Sequence, residues 1–136
     1  MASIFTRIVL GEIPAIKIYE DDATLAFMDI SPASRGHTLV ITKAEHADLI
    51  GMPAELVAQV ARTVQHVAQA IHTALAPDGI NIIQNNGAAA GQTVFHYHVH
   101  IIPRWEGDAV LKLWAPQTVA SVELQEIADR IRAGLR

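Results

Sequence analysis

The sequence predicts one compact domain that mixes short β-strands with amphipathic helices, the longest of them near the middle of the chain. Two patterns predict this. Between Pro53 and Leu75, Leu56, Val60, Val64, Val67, Ile71 and Leu75 recur at steps of three or four, the period of a helix with one buried stripe. On either side lie β-rich runs of four to eight residues bounded by Gly, Pro and Asp, which read as strands. With 136 residues, 51% of them hydrophobic and 18% charged, the chain can bury a core of its own, and residues 1–136 are expected to form a single domain.

The elements follow in order. Ser3 is placed to cap a short helix carrying Ile4, Phe5, Ile8 and Val9, which Gly11 and Pro14 end. Ile16–Tyr19 and Thr24–Asp29 read as a hairpin joined through Glu20-Asp21-Asp22. Ser31-Pro32-Ala33-Ser34-Arg35-Gly36 breaks regular structure before a third run, His37–Ile41. Pro53 suits the first turn of the long helix, and Pro77-Asp78-Gly79 stops it ahead of a short buried strand, Ile80–Gln84. The small-residue loop Asn85–Thr93 leads into a histidine-rich strand. An amphipathic helix spanning about 119–135, with Val122, Ile127 and Ile131 on its apolar side, closes the chain.

Composition excludes several classes. A net charge of −4 and a pI near 5.9 argue against a nucleic-acid surface. The absence of cysteine removes disulfides, catalytic thiols and thiolate metal sites. Arg7 and Glu12 interrupt the first apolar stretch, so neither a leader nor a membrane segment is expected, and a cytoplasmic location is.

The chemistry concentrates in Phe95-His96-Tyr97-His98-Val99-His100-Ile101-Ile102, which holds three of the seven histidines in five residues. On a strand His96, His98 and His100 would share one face, with Phe95, Tyr97, Val99 and Ile101 on the other. Three imidazoles can hold a zinc ion with an open position, although no fourth ligand is supplied here. They can instead form a phosphate site, one ring attacking phosphorus while the others and the backbone donors of the Gly/Ala loop offset charge. A purely structural role ranks behind both, because three imidazoles on one face are costly to bury without purpose. Spacing alone leaves metal and phosphate level.

His96-Tyr97-His98-Val99-His100-Ile101-Ile102 resembles the histidine triad signature, His-φ-His-φ-His-φ-φ with φ apolar. Ile4-Phe5, Gly11-Glu12-Ile13-Pro14, Tyr19-Glu20-Asp21-Asp22, Asp29-Ile30-Ser31-Pro32, Gly36–Ile41, Asn85-Asn86-Gly87 and Gly91–Phe95 resemble further motifs of the same family in order and spacing. The resemblance to the histidine triad (HIT) family, in its prokaryotic branch, covers about residues 3–107. It implies an α+β fold with a five-stranded antiparallel sheet, one long helix, short terminal helices, and a homodimer built around the long helix and a sheet edge.

The activity it implies is cleavage at the α-phosphorus of purine-nucleoside phosphoramidates or related nucleotidyl conjugates, through a nucleotidyl-histidine intermediate. His98 would be the nucleophile, with His96, His100 and His37 around the phosphate and Thr93 near the leaving group. Gln92, Thr93, Gly91 and Asn85 would serve the phosphate and Asp29 the ribose. Ile4, Phe5, Ile8, Ile13, Phe27, Ile30 and Leu39 would line the base slot. No cofactor or metal is implied: where many bacterial relatives carry a Cys-x-x-Cys pair this chain has Ser3 and Thr6, so no structural zinc is expected, even with His46 nearby. The alternative is a nucleotide-binding or sensing protein with slow, incidental hydrolysis.

Overall fold

A computed structural model describes residues 2–135. In chain order it contains α1 (Ile4–Val9), β1 (Lys17–Glu20), β2 (Thr24–Met28), β3 (Thr38–Thr42), α2 (Ala54–Leu75), β4 (Gly79–Ile83), a 3-10 turn at Ala88–Ala90, β5 (His98–Arg104) and α3 (Ser121–Ala133). The strands form one antiparallel sheet in the order β1-β2-β3-β5-β4.

Local chemistry explains the boundaries. Ser3 Oγ accepts the Thr6 N–H at 3.0 Å and starts α1. The β1–β2 turn closes on Asp21, whose Oδ1 accepts the N–H groups of Ala23 and Thr24 at 3.0 and 2.8 Å. Pro53 occupies the N-cap of α2, where its missing N–H costs nothing. The stop comes earlier than Pro77-Asp78-Gly79 predicts: Ala76 adopts a left-handed conformation at φ 47°, its N–H donating to the His72 carbonyl, and Gly79 already opens β4.

Strand alternation divides the interior between the two faces of the sheet. Ala26, Val40, Val99 and Ile101 turn toward α2 and pack with Val60, Val64, Val67 and Ile71, while the buried hydroxyls of Thr24 and Thr63 meet at 2.8 Å. Leu25, Phe27, Leu39 and Ile41 turn the other way, where Phe5 and Ile8 of α1 cover them. The register then puts the functional residues on this second face. His98 pairs with Ile41 and His100 with Leu39, so both imidazoles stand beside the α1 cluster.

Three expectations are corrected. The run at Ile80–Gln84 is not a buried strand: β4 is the sheet's edge and Ile82 is 50% exposed. The histidine strand begins at His98, so His96 and Phe95 lie in the bend before it, and Phe95 is exposed instead of packing beside Tyr97 and Val99. The closing helix forms, yet Val122, Ile127 and Ile131 are all exposed and no residue of α3 is buried. Among the described residues, no helix is long and apolar enough to cross a membrane.

Candidate active site

His98 lies buried at the start of β5, against the edge of Phe5, their ring centroids 5.0 Å apart. Its Nδ1 is 2.6 Å from the His96 carbonyl oxygen. A carbonyl can only accept, so Nδ1 carries the proton and the neutral ring keeps its lone pair on Nε2. Burial holds the ring below the ordinary histidine pKa, against opposing pulls from the His96 carbonyl and Asp29.

Beside it, 5.0 Å between centroids, stands His100, which in turn lies 5.2 Å from His37. The proton pattern can be read along this pair. The Ala33 N–H donates to His37 Nδ1 at 2.9 Å, so the proton of neutral His37 sits on Nε2. That Nε2 faces His100 Nδ1 at 2.9 Å and donates to it, which places the proton of neutral His100 on its own Nε2. Burial lowers the pKa of His37, with Asp29 opposing, and carries His100 down to about 4 with His98 and His37 adding to the effect. At neutral pH the site therefore offers an unprotonated nitrogen on one ring and an N–H donor on the next, with no fixed imidazolium. Desolvation outweighs the pull of the Asp29 carboxylate on these rings.

Asp29, half-buried at the end of β2, has Oδ2 3.5 Å from His37 Nε2, while its Oδ1 accepts the Ser31 N–H at 2.8 Å. Asp29, His37 and His100 together have the donor types to hold a divalent cation, their nearest ligand atoms all within 4.8 Å of one another. In this arrangement the two imidazoles spend those atoms on each other.

The structure brings His37, His98, His100 and Asp29 together, but not His96. The His96 ring is completely buried, with Nδ1 2.6 Å from Ser3 Oγ and Nε2 2.7 Å from the Thr42 carbonyl, so it offers nothing to a phosphate. Strand alternation does not extend to it, because pairing starts only at His98. Gln92 is also turned inward. Its Oε1 accepts the Gly87 N–H at 2.7 Å and its Nε2 donates to the carbonyls of Ala47 and Val94 at 2.6 and 3.1 Å. With every polar atom engaged, this side chain braces the loop and does not face a phosphate. Thr93 is exposed at the loop's end, and Gly91, at φ 94°, lies over the Asn85 amide.

Of the expected base slot, Phe5, Ile8, Ile13, Phe27 and Leu39 gather in one cluster. Ile4, 48% exposed, and Ile30, 88% exposed, stand outside it. Leu25 and Ile41 complete the cluster and were legible as the alternate neighbours of Phe27 and Leu39. The ties of Ser3 and Thr42 to His96 gave no such signal, since they span 93 and 54 residues along the chain, and Glu45 joins them through Ser3 across 42.

The HIT domain family matches residues 10–107, the part that carries the sheet, α2 and the histidines. The chain belongs to the HIT family. An adenylylsulfatase from Arabidopsis thaliana is 40% identical over 135 residues, covering 98% of this chain and 67% of its own. An adenosine 5'-monophosphoramidase from Schizosaccharomyces pombe is 36% identical over 137 residues, covering 100% of both. The crystal structure of a HIT family member from Bacillus subtilis superposes with a TM-score of 0.94 at 39% identity, covering 100% of this chain and 99% of the other. The α+β fold with its five-stranded antiparallel sheet is thus the HIT fold, and the family supports a hydrolase that works on nucleotides.

Proposed function

We propose that this HIT protein hydrolyses purine-nucleoside phosphoramidates or related nucleotidyl conjugates at the α-phosphorus, through a covalent intermediate on His98. The observation that carries the reading is the bond from His98 Nδ1–H to the His96 carbonyl, which leaves Nε2 unprotonated and keeps the ring oriented. As Nε2 bonds to phosphorus, the ring becomes cationic and the same carbonyl stabilises it. The bond from phosphorus to the leaving group breaks, the leaving atom taking the electron pair and a proton from solvent water, while His100 Nε2–H donates a hydrogen bond to the phosphate and keeps its proton. In the second half, water attacks phosphorus and gives its proton to solvent, and the bond to His98 breaks, its electron pair returning to Nε2. His37 holds the His100 tautomer throughout by donating to Nδ1.

Phe5, Ile8, Phe27 and Leu39, which pack together under α1, would receive the flat base. Asp29 suits the ribose hydroxyls once its weak 3.5 Å approach to His37 is relaxed. The loop at Gly91 and Thr93 is the natural neighbour of the phosphate, and Asn85 and Gln92 act by holding that loop. None of these steps needs a metal ion, so activity should survive exhaustive chelation.

A homodimer suits the uncovered surfaces. Val57, Ala61, Val64 and Ala68 of α2 form a shallow apolar groove with Ile82 of the edge strand, and the cleft of about 800 Å³ that continues along β4 includes Trp105 and Trp114. A second copy would cover both; sedimentation equilibrium reads the state. We take residues 1–136 as one domain, with Met1 and Arg136 outside the described residues.

Rapid quenching with an α-labelled adenosine phosphoramidate tests the chemistry. An acid-labile adduct should form in the parent protein and vanish in His98→Ala; an adduct or full turnover that persists in His98→Ala overturns the assignment. Tight nucleotide binding without turnover across amine, acyl and phosphate leaving groups would favour a sensor instead.

A further inference from the structure

The first histidine of the triad is tied to α1 by a hydrogen-bonded clasp. His96 Nε2 faces the Thr42 carbonyl at 2.7 Å and Thr42 Oγ1 at 3.3 Å. Thr42 Oγ1 spends its own hydrogen on the Ala44 carbonyl at 2.7 Å, so the Nε2 position must carry the proton. His96 Nδ1 is then an acceptor, and the hydroxyl 2.6 Å away on Ser3 supplies the hydrogen. Ser3 Oγ in turn accepts the Thr6 N–H at 3.0 Å, which uses the hydroxyl as both donor and acceptor. Glu45 Oε1 closes the arrangement from outside, accepting the Ser3 N–H at 2.5 Å and the Thr6 hydroxyl at 2.8 Å.

Two features of the reacting centre depend on where this clasp holds its members. The His96 carbonyl is the acceptor for His98 Nδ1–H, and a buried ring pinned at both nitrogens fixes the backbone that carries that carbonyl. Two residues after Ser3, Phe5 lays its ring edge-on against both His96 and His98, with centroids at 5.8 and 5.0 Å. α1 has only six residues and cannot hold this pose by helical propensity. Glu45 is exposed, so its share is the lesser one, whereas the Ser3–His96 bond is shielded.

We propose that Ser3, backed by Glu45 and Thr6, is a positioning residue for the reaction: its bond to His96 fixes both the carbonyl that orients His98 and the helix that walls the site. The role rests on the His98 reading above, and its test separates the two. In protein labelled with 15N-histidine and free of substrate, the His98 Nδ1 proton, shielded by its carbonyl partner, should give a downfield signal that exchanges slowly. Ser3→Ala should speed that exchange at least tenfold and lower kcat roughly tenfold, the loss of one shielded hydrogen bond, while KM for the phosphoramidate changes less than twofold. Ser3→Thr, which keeps the hydroxyl and still caps a helix, should restore both.

A Ser3→Ala protein that loses thermal stability but keeps the parent's proton exchange and kcat overturns the proposal, since Ser3 is then only a cap. A folded Ser3→Thr protein as impaired as Ser3→Ala overturns it also. If the parent protein itself shows no adduct, the reaction reading falls, while the proton signal still reports on the clasp.

Discussion

His100 makes stability depend on pH in a way that can be worked out. In an unfolded chain a histidine titrates near 6.5; in the fold His100 lies at about 4, chiefly through burial and then through the neighbouring imidazoles. Between those values the unfolded chain binds a proton that the folded chain refuses, so stability falls as pH drops through 6.5 and the loss levels off below about 4. At pH 5 linkage gives roughly 2 kcal/mol for this one ring, and solvent reaching a half-buried group reduces that to about 1–2 kcal/mol. His100→Gln removes the titration while its side-chain carbonyl can still accept from His37 Nε2. Urea unfolding followed by far-ultraviolet circular dichroism at pH 7.5, 6 and 5 should show the parent losing about 1–2 kcal/mol more than the variant between the first and last. His37, His96 and His98, also held low, contribute with the same sign to both proteins. Parallel pH curves for parent and variant would refute the reasoning.

Nucleoside monophosphate binding should take up protons, because an anion raises depressed histidine pKa values. Titration calorimetry in buffers of different ionisation enthalpy should show net uptake at pH 7.5 and tighter binding at pH 6.5. Phe5→Ala, which empties a buried site next to Phe27 and His98, should cost about 3 kcal/mol in urea unfolding. Gly36→Ala should lose about 2 kcal/mol or more on the same assay, since its φ of +92° suits glycine and a Cβ would fall 2.5 Å from Leu75 Cδ1. Gln92→Ala strips partners from the Gly87 N–H and two carbonyls, which should cost roughly 1–3 kcal/mol, loosen amide exchange at Gly87 and lower kcat/KM.

What the sequence determined by itself is local or periodic. The cap at Ser3, the long helix, the strand runs and the apolar stripe of Phe5 and Ile8 on the first helix all follow from spacing, because a helix or strand turns its side chains by a fixed rule. The histidine pattern likewise marked His98 and His100 as neighbours on one face. Only the tertiary structure decided the rest. The β3–β5 register carries β3, with His37 just before it, alongside the His100 strand, and the Ala33 N–H at His37 then sets the tautomers along the pair. His96 left the constellation because strand pairing begins two residues later and because Ser3 and Thr42 arrive from distant segments to hold both of its nitrogens. Gln92 turned inward for the same reason: the carbonyl of Ala47, 45 residues away, was there to be satisfied. Spacing tells which way a side chain leaves the backbone, but which partner waits there, and so which nitrogen keeps its proton, is settled only when the chain has closed around it.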